Sequence, residues 1–139
     1  MKTILHEGSQ FVLRFDRGDE IVSLLKDFCQ KEKIDSGFFH ALGASKNLKL
    51  SYYNFQLKKY LEKEFNEDLE IANLVGNICQ SDEGLVVHTH GTFSDKEFKA
   101  FAGHVVAVEI GVTCEMVLTK FDHSMVRKFN PGVGIKILD

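Results

Sequence analysis

The sequence has little proline and no run that resembles a linker. Its single proline is Pro131, and no segment is rich in glycine or serine. No stretch combines low hydrophobicity with a block of like charges, so we expect no disordered region. A length of 139 residues is common for one domain and too short for two. We therefore predict a single domain spanning residues 1–139.

Long hydrophobic runs are also absent. The longest apolar stretch, Val105 to Val112, is interrupted by Glu109 and is far shorter than the roughly 20 residues that a membrane helix needs. The N-terminal residues lack an apolar core followed by small residues, so no signal peptide is expected. The three cysteines form no Cys-x-x-Cys motif, which argues against a disulfide framework and a cysteine-rich zinc site. These features predict a cytoplasmic protein that does not enter a membrane.

An excess of positive charge is missing as well. The formal net charge is -3 and the isoelectric point is about 6.1, whereas proteins that bind DNA through its phosphates usually carry clustered lysine and arginine. The densest basic pairs are Lys58-Lys59 and Arg127-Lys128, which we interpret as solvated charges. Direct nucleic-acid binding is therefore not expected without a partner, although assembly of several chains could still build a basic patch.

The residue pattern predicts one clear helix among many strands. Ile21, Leu24, Leu25 and Phe28 recur at helical spacing, after the acidic pair Asp19-Glu20 that suits a helix N-terminus. The remaining periodicity is that of strands, without the regular alternation of strand and helix that a parallel sheet requires. The expected class is thus α+β, with a mostly antiparallel sheet and one main flanking helix. Strands are predicted near residues 11–16, 36–41, 48–53, 69–79, 85–93 and 105–121, with an edge hairpin over 55–65 and a final hairpin over 126–138.

Two of these strand predictions include a statement about faces. Leu69, Ile71, Val75 and Cys79 are expected to share one face of their strand. The segment Val105 to Phe121 is apolar on both faces, which predicts a central strand that is buried from two sides.

A candidate metal site follows from three histidines. His88 and His90 are separated by one residue inside a predicted strand, so their side chains point to the same face while Thr89 points to the other. His104 opens the next strand, and the connection between the two strands is long enough to bring it alongside. Three imidazoles on neighbouring strands can coordinate one zinc ion at about 2.1 Å. The alternative is that these histidines are packed or surface residues that hydrogen-bond to the backbone.

In order along the chain, several short motifs resemble the plants-and-prokaryotes-conserved (PPC) domain family, in a stand-alone form without an AT-hook. The similarity runs from about Phe11 to about Phe121. It implies an antiparallel sheet with a flanking helix and assembly as a homotrimer. It also implies a metal, zinc or another divalent transition metal, held by His88, His90 and His104. The motifs are Leu13-Arg14, Gly18-Asp19-Glu20-Ile21, Gly43-Ala44, Glu70-Ile71, Gly76-Asn77-Ile78, His88-Thr89-His90, Gly103-His104 and Cys114-Glu115-Met116-Val117-Leu118.

The other polar residues of these motifs have simpler interpretations. Arg14 and Glu70 are expected to form a buried ion pair or, alternatively, to line a pocket. Asn77 could bond a neighbouring backbone group or turn toward the histidines, and Glu115 needs a partner or a polar cavity on its apolar strand. No role is assigned to the remaining histidines, His6, His40 and His123, or to the solvated charges Lys120 and Arg127.

Three functions are compatible with these observations, and whether the protein is an enzyme stays open. The first is a metal-binding protein with a small-molecule ligand, of hydrolase or lyase type, because zinc on three imidazoles keeps an open position that activates water. The second is a DNA-associated or partner-binding assembly protein, by analogy with the plant AT-hook relatives. The third is a structural homotrimer. No glycine-rich phosphate loop, dinucleotide-binding motif or Gly-x-Ser-x-Gly nucleophile motif is present.

Overall fold

A computed structural model describes all residues from Met1 to Asp139 as one large antiparallel sheet, one helix and a small C-terminal hairpin. This arrangement confirms the predicted mostly antiparallel sheet with a single helix. No helix is long and apolar enough to cross a membrane. The elements in chain order are β1 (Lys2–Glu7), β2 (Gln10–Asp16), α1 (Ile21–Lys31), β3 (Gly37–Asn54), β4 (Lys59–Ser81), β5 (Gly84–Ser94), β6 (Ala100–Lys120), β7 (Arg127–Asn130) and β8 (Ile135–Leu138).

The six-stranded sheet has the order β1-β2-β6-β3-β4-β5, and all of its pairings are antiparallel. Strand β6 is long enough to pair with β5 through its first residues and with β3 and β2 through the rest. Strands β3, β4, β5 and β6 therefore form a closed ring. This closure places the middle of β5 beside the beginning of β6.

Helix α1 covers one side of the sheet. Glu20 caps its N-terminus, because the carboxylate accepts hydrogen bonds from the backbone N–H groups of Val22 (3.0 Å) and Ser23 (2.8 Å). The same carboxylate also accepts the N–H of Val108 on β6 at 3.1 Å, which fixes the start of the helix to the sheet. Ile21, Leu25 and Phe28 are buried beneath the helix. The predicted helix is confirmed, including the face that it buries.

The structure joins strands that the sequence pattern predicted as separate. Residues 37–41 and 48–53 belong to the single strand β3, and residues 59–81 form the single strand β4. Irregularities occur in β3 between Ala41 and Gly43 and between Ser45 and Asn47. A bulge near Gly43-Ala44 was predicted, but a bulge does not end a strand that keeps its neighbours on both sides.

The predicted buried face of β4 is wrong beyond Ile71. A register shift between Ile71 and Asn73 moves the following side chains to the opposite face. Leu74 and Ile78 therefore continue the core, both 0 % exposed, whereas Val75 is half-buried. Cys79 is also buried. It directly follows Ile78, so its side chain lies on the face opposite Ile78 and not on the face that Leu69 and Ile71 share.

The prediction that β6 is buried from two sides is also wrong for the chain by itself. One face is fully buried, through Val108, Ile110, Cys114, Met116 and Leu118. The other face is half-buried or exposed, and Val112 is 66 % exposed. Strand β1 was not predicted, because all of its residues are exposed and it has no hydrophobic alternation to detect.

Candidate metal centre

The three predicted histidines lie on two adjacent strands of the ring. His90 on β5 is the direct antiparallel partner of His104 on β6, and His88 is two residues earlier on β5. Thr89 between them is 1 % exposed and faces the core, as the alternation of strand side chains requires. The closure of the sheet therefore brings all three imidazoles together on the outward face, as the sequence predicted.

The three rings surround a common point. Their centroids are 5.2 Å apart for His88 and His90, 5.2 Å for His88 and His104, and 5.3 Å for His90 and His104. One nitrogen from each ring lies within 4.8 Å of the others. Nitrogens that bind one tetrahedral ion at about 2.1 Å are roughly 3.4 Å apart. Movement of each ring by roughly an ångström would therefore close the site around an ion.

The ring nitrogens are free to coordinate. None of the three rings forms a hydrogen bond with the protein. The histidine ring that does so is that of His6, which bonds to the carbonyl of Gly8. Burial lowers the pKa of His88 to about 4, with a smaller contribution from the positive charge of Arg127. Burial also lowers the pKa of His90 and of His104, and Arg127 and His90 add to the effect at His104. All three rings are thus neutral at pH 7, the form that binds a metal.

The donor set suits zinc. Three neutral imidazoles with no fourth protein ligand match the ligand number of a catalytic rather than a structural zinc site. The same set suits manganese, nickel or iron, so the geometry does not select one metal. The alternative that these histidines hydrogen-bond to backbone does not fit the structure, because their nitrogens face one another.

A cleft of 420 Å³ lies beside the rings, between the sheet and the C-terminal hairpin. We call it the histidine cleft. The hairpin of β7 and β8 was predicted, and the turn at Asn130-Pro131-Gly132 is confirmed: the Asn130 side chain accepts the N–H groups of Gly132 (2.9 Å) and Val133 (3.2 Å). The cleft is lined by Tyr60, Ser81, Glu83, Val86, His88, His104, Arg127, Phe129, Gly134, Ile135 and Lys136.

Arg127 is a site residue that the sequence reasoning missed, since it was interpreted as a solvated charge. It is half-buried and lines the histidine cleft. Its Nη2 donates to Oδ1 of Asn77 at 3.2 Å, and Asn77 is the strand partner of His88. Asn77 thus turns toward the histidine face, one of the two options left open for it. Nothing in the sequence distinguishes Arg127 from its neighbour Lys128. The side chain of Lys128 is 68 % exposed, as expected for a solvated cation.

The other polar residues of the sequence motifs do not reach the site. Arg14 and Glu70 do not pair with each other: Arg14 binds Asp16 at 2.9 Å, and Glu70 lines a separate surface groove. Glu115 is exposed and needs no buried partner. The expected buried ion pair is therefore wrong, because Arg14 and Glu70 lie on strands that are not neighbours.

Comparison with known proteins assigns most of the chain to a family. The model of the Plants and Prokaryotes Conserved (PCC) domain matches residues 3–122. A "putative DNA binding protein" from Bacteroides thetaiotaomicron is 32% identical with a TM-score of 0.93, and the match covers 97% of this chain and 94% of that chain. No protein of curated function matches the chain.

Two archaeal structures are similar over almost the same length. A metal-containing protein from Archaeoglobus fulgidus is 27% identical with a TM-score of 0.86, and the match covers 99% of both chains. A plant- and prokaryote-conserved (PPC) protein from Pyrococcus horikoshii is 27% identical with a TM-score of 0.84, and the match covers 99% of this chain and 97% of that one.

Proposed function

The chain belongs to the Plants and Prokaryotes Conserved domain family, and we propose that it binds one divalent transition metal ion, zinc, through His88, His90 and His104. The observation that carries the proposal is the convergence of three neutral rings whose nitrogens have no protein partner. The metal-containing protein from Archaeoglobus fulgidus, which shares the fold, supports it.

The histidine cleft gives this metal site a second component. A metal ion on three imidazoles keeps a coordination position open and acts there as a Lewis acid. The chain supplies a cleft of 420 Å³, within the range of small-molecule sites. Tyr60 and Phe129 provide aromatic surface at its edge, and Arg127 provides a positive charge. These residues support a protein that binds a small molecule next to the metal, with hydrolysis as the chemistry that such a site would serve.

Elemental analysis of untagged protein tests the metal site. The protein is stripped with a chelator, incubated separately with zinc, manganese, nickel, iron and cobalt, and dialysed. We expect one ion per chain with zinc and a loss of that ion in the His90→Ala variant. A zinc content near zero that incubation cannot raise would contradict the proposal.

We also infer that the chain assembles as a homotrimer in the cytoplasm. Leu42 and Val112 line one shallow surface depression and are 60 % and 66 % exposed, so part of the apolar surface of β3 and β6 has no cover in a single chain. The three cysteines are buried and unpaired, which suits a reducing compartment.

Light scattering measures this assembly directly. Leu42→Asp is expected to reduce the mass from three chains to one without unfolding the chain, because the side chain is exposed. Val108→Asp is a poor test, since Val108 is 0 % exposed inside the core and its replacement would unfold the chain itself. A parent protein with the mass of one chain would contradict the trimer.

Association with DNA is a second candidate function, favoured by the description of the similar Bacteroides protein. The charges argue against direct binding: the net charge is -3, and Lys49, Lys128 and Lys136 are each paired with acids. Duplex DNA titrated at several salt concentrations distinguishes the two candidates. A dissociation constant weaker than about 10⁻⁴ M at moderate salt would leave only roles that depend on a partner.

A further inference from the structure

Arg127 carries a half-buried positive charge that no acidic side chain neutralises. Its three hydrogen bonds go to uncharged acceptors: the Cys79 sulfur at 3.1 Å, the Lys136 carbonyl at 3.2 Å and the Asn77 amide oxygen at 3.2 Å. None of the ion pairs in the chain includes it. Charges removed from water are usually paired with an opposite charge. The half-buried guanidinium of Arg127 departs from this rule, because no acidic side chain pairs with it.

The second cation of the histidine cleft is in the opposite situation. The ammonium group of Lys136 contacts Asp82 at 2.5 Å and Glu83 at 2.7 Å. Glu83 is the one carboxylate that lines the cleft, and it is engaged by this contact. The charge that remains available to a ligand is therefore that of Arg127.

The uncompensated charge lies close to the histidines. Arg127 holds Asn77, whose strand partner is His88. Arg127, His88 and His104 all line the histidine cleft. A divalent ion on the three neutral rings would add two further positive charges without any carboxylate ligand to offset them. An anion bound between these positive charges would offset their mutual repulsion.

We propose that the histidine cleft binds a small oxyanion, a carboxylate or phosphate group, between the Arg127 guanidinium and the open position of the metal. This inference rests on the proposed metal site. A guanidinium has five N–H donors, and the three hydrogen bonds of Arg127 leave two for a ligand. Two such donors match the paired oxygens of a carboxylate or phosphate. The aromatic side chains of Tyr60 and Phe129 would contact the remainder of the bound ligand, beyond its carboxylate or phosphate group.

The anion site depends on an element outside the family match. The family model covers residues 3–122, whereas Arg127, Phe129 and Lys136 belong to the β7–β8 hairpin. The hairpin is held in place by Tyr53, which donates to the Val133 carbonyl at 2.7 Å, and by a backbone hydrogen bond from Gln80 to Met125 at 2.8 Å. The proposed anion site therefore depends on the C-terminal hairpin, beyond the residues that the family model matches.

Cobalt(II)-loaded protein tests the proposal, because the visible absorption of cobalt changes when its open position is filled. The protein is titrated with inorganic phosphate and, separately, with acetate, which distinguishes the two sources of the oxyanion. We expect a saturable spectral change with at least one of them. Arg127→Gln should weaken that binding by at least about tenfold, and Arg127→Lys, which keeps the charge but not the fork, should lie between.

Lys128→Gln is the matched control, since it removes one positive charge from the same hairpin at an exposed position. It should change anion affinity by less than about twofold. Circular dichroism checks that each variant is folded; if Arg127→Gln is not, Arg127→Lys against Lys128→Gln decides the question.

Failure of this inference can be separated from failure of the metal site. A protein that binds one cobalt ion but responds to neither anion, or whose Arg127 variants bind the anion as well as the parent does, would overturn the oxyanion site alone. A protein that binds no cobalt would overturn the metal proposal. Calorimetric titration of that metal-free protein with phosphate and acetate would then show whether Arg127 binds an anion by itself, and absence of heat would overturn this inference too.

Discussion

The polar side chains on the two faces of strand β5 differ in whether they have hydrogen-bond partners within the protein. Thr89 faces the core, is 1 % exposed, and donates its hydroxyl to the Val75 carbonyl at 3.0 Å. His88 and His90 face the other way, and their rings lie beside each other and beside the ring of His104. A buried polar group with a structural role is satisfied within the protein. The three imidazoles converge without a hydrogen-bond partner in the protein, and this difference supports the proposed metal site.

This comparison predicts that substitutions on the two faces will affect different properties. Those on the core face should lower the free energy of unfolding and leave the metal affinity of the folded protein unchanged. Substitutions on the histidine face should weaken metal binding and leave the free energy of unfolding of the metal-free protein nearly unchanged.

The largest effect is expected for Phe93→Ala on the core face of β5. Phe93 is 0 % exposed, and truncation of a buried phenylalanine costs about 3–5 kcal/mol because it removes apolar contact and leaves a cavity. Chemical denaturation of the metal-free protein measures this loss. A change below about 1 kcal/mol would mean that the two faces are assigned incorrectly.

His104→Ala on the opposite face should weaken zinc binding by at least about a hundredfold, since it removes one of three ligands. The free energy of unfolding of the metal-free protein should change by less than about 1 kcal/mol. Competition with a zinc chelator gives the affinity. His123→Ala is the matched control, because His123 is exposed and outside the site, and its affinity should equal that of the parent.

The pH dependence separates these rings from ordinary histidines. Three imidazoles with the usual pKa of about 6.5 would together lose roughly 70-fold in metal affinity between high pH and pH 6, as protons compete for the nitrogens. Because burial lowers the pKa of all three, and that of His88 to about 4, the loss at pH 6 should be smaller. A full 70-fold loss would show that the rings are solvated like free histidine.

The same pKa changes affect the stability of the metal-free protein. The unfolded chain takes up protons on these histidines near pH 6.5, while the folded chain does so only at lower pH. These histidines therefore do not reduce the free energy of unfolding above pH 6.5. They reduce it progressively as the pH falls from 6.5 toward 4, because the unfolded chain then binds more protons. Denaturation midpoints at pH 7.5, 6 and 5 would show the decline, and His88→Ala should reduce its slope.

The smallest effect is expected for Thr89→Val, which keeps the shape and removes the hydroxyl. The loss of one buried hydrogen bond should cost about 1 kcal/mol. Zinc affinity should not change, since Thr89 faces away from the histidines. Weaker zinc binding in a fully folded Thr89→Val protein would show that the two faces are coupled.

The sequence predicted the histidine cluster because that cluster depends on local rules. Alternation along a strand places His88 and His90 on one face, and one strand-to-strand connection brings His104 beside them. The family resemblance covered the same residues. Prediction of the helix succeeded for a similar reason, since its apolar spacing and acidic N-terminus lie within one segment.

Features that depend on distant contacts could not be predicted. Arg127 lines the histidine cleft only because the C-terminal hairpin folds back against β4, held by contacts such as that of Val126 with Gln80. The faces of β4 exchange at a bulge that no residue pattern marks. Strand β1 pairs with β2 while exposing every side chain, so hydrophobic alternation cannot identify it.

The central claim is that His88, His90 and His104 hold a single metal ion, and anomalous diffraction tests it most directly. Crystals of untagged protein equilibrated with zinc would be measured on both sides of the zinc absorption edge. We expect one peak per chain, about 2.1 Å from one nitrogen of each ring. An absence of density between the three rings, or zinc bound only elsewhere on the chain, would contradict it.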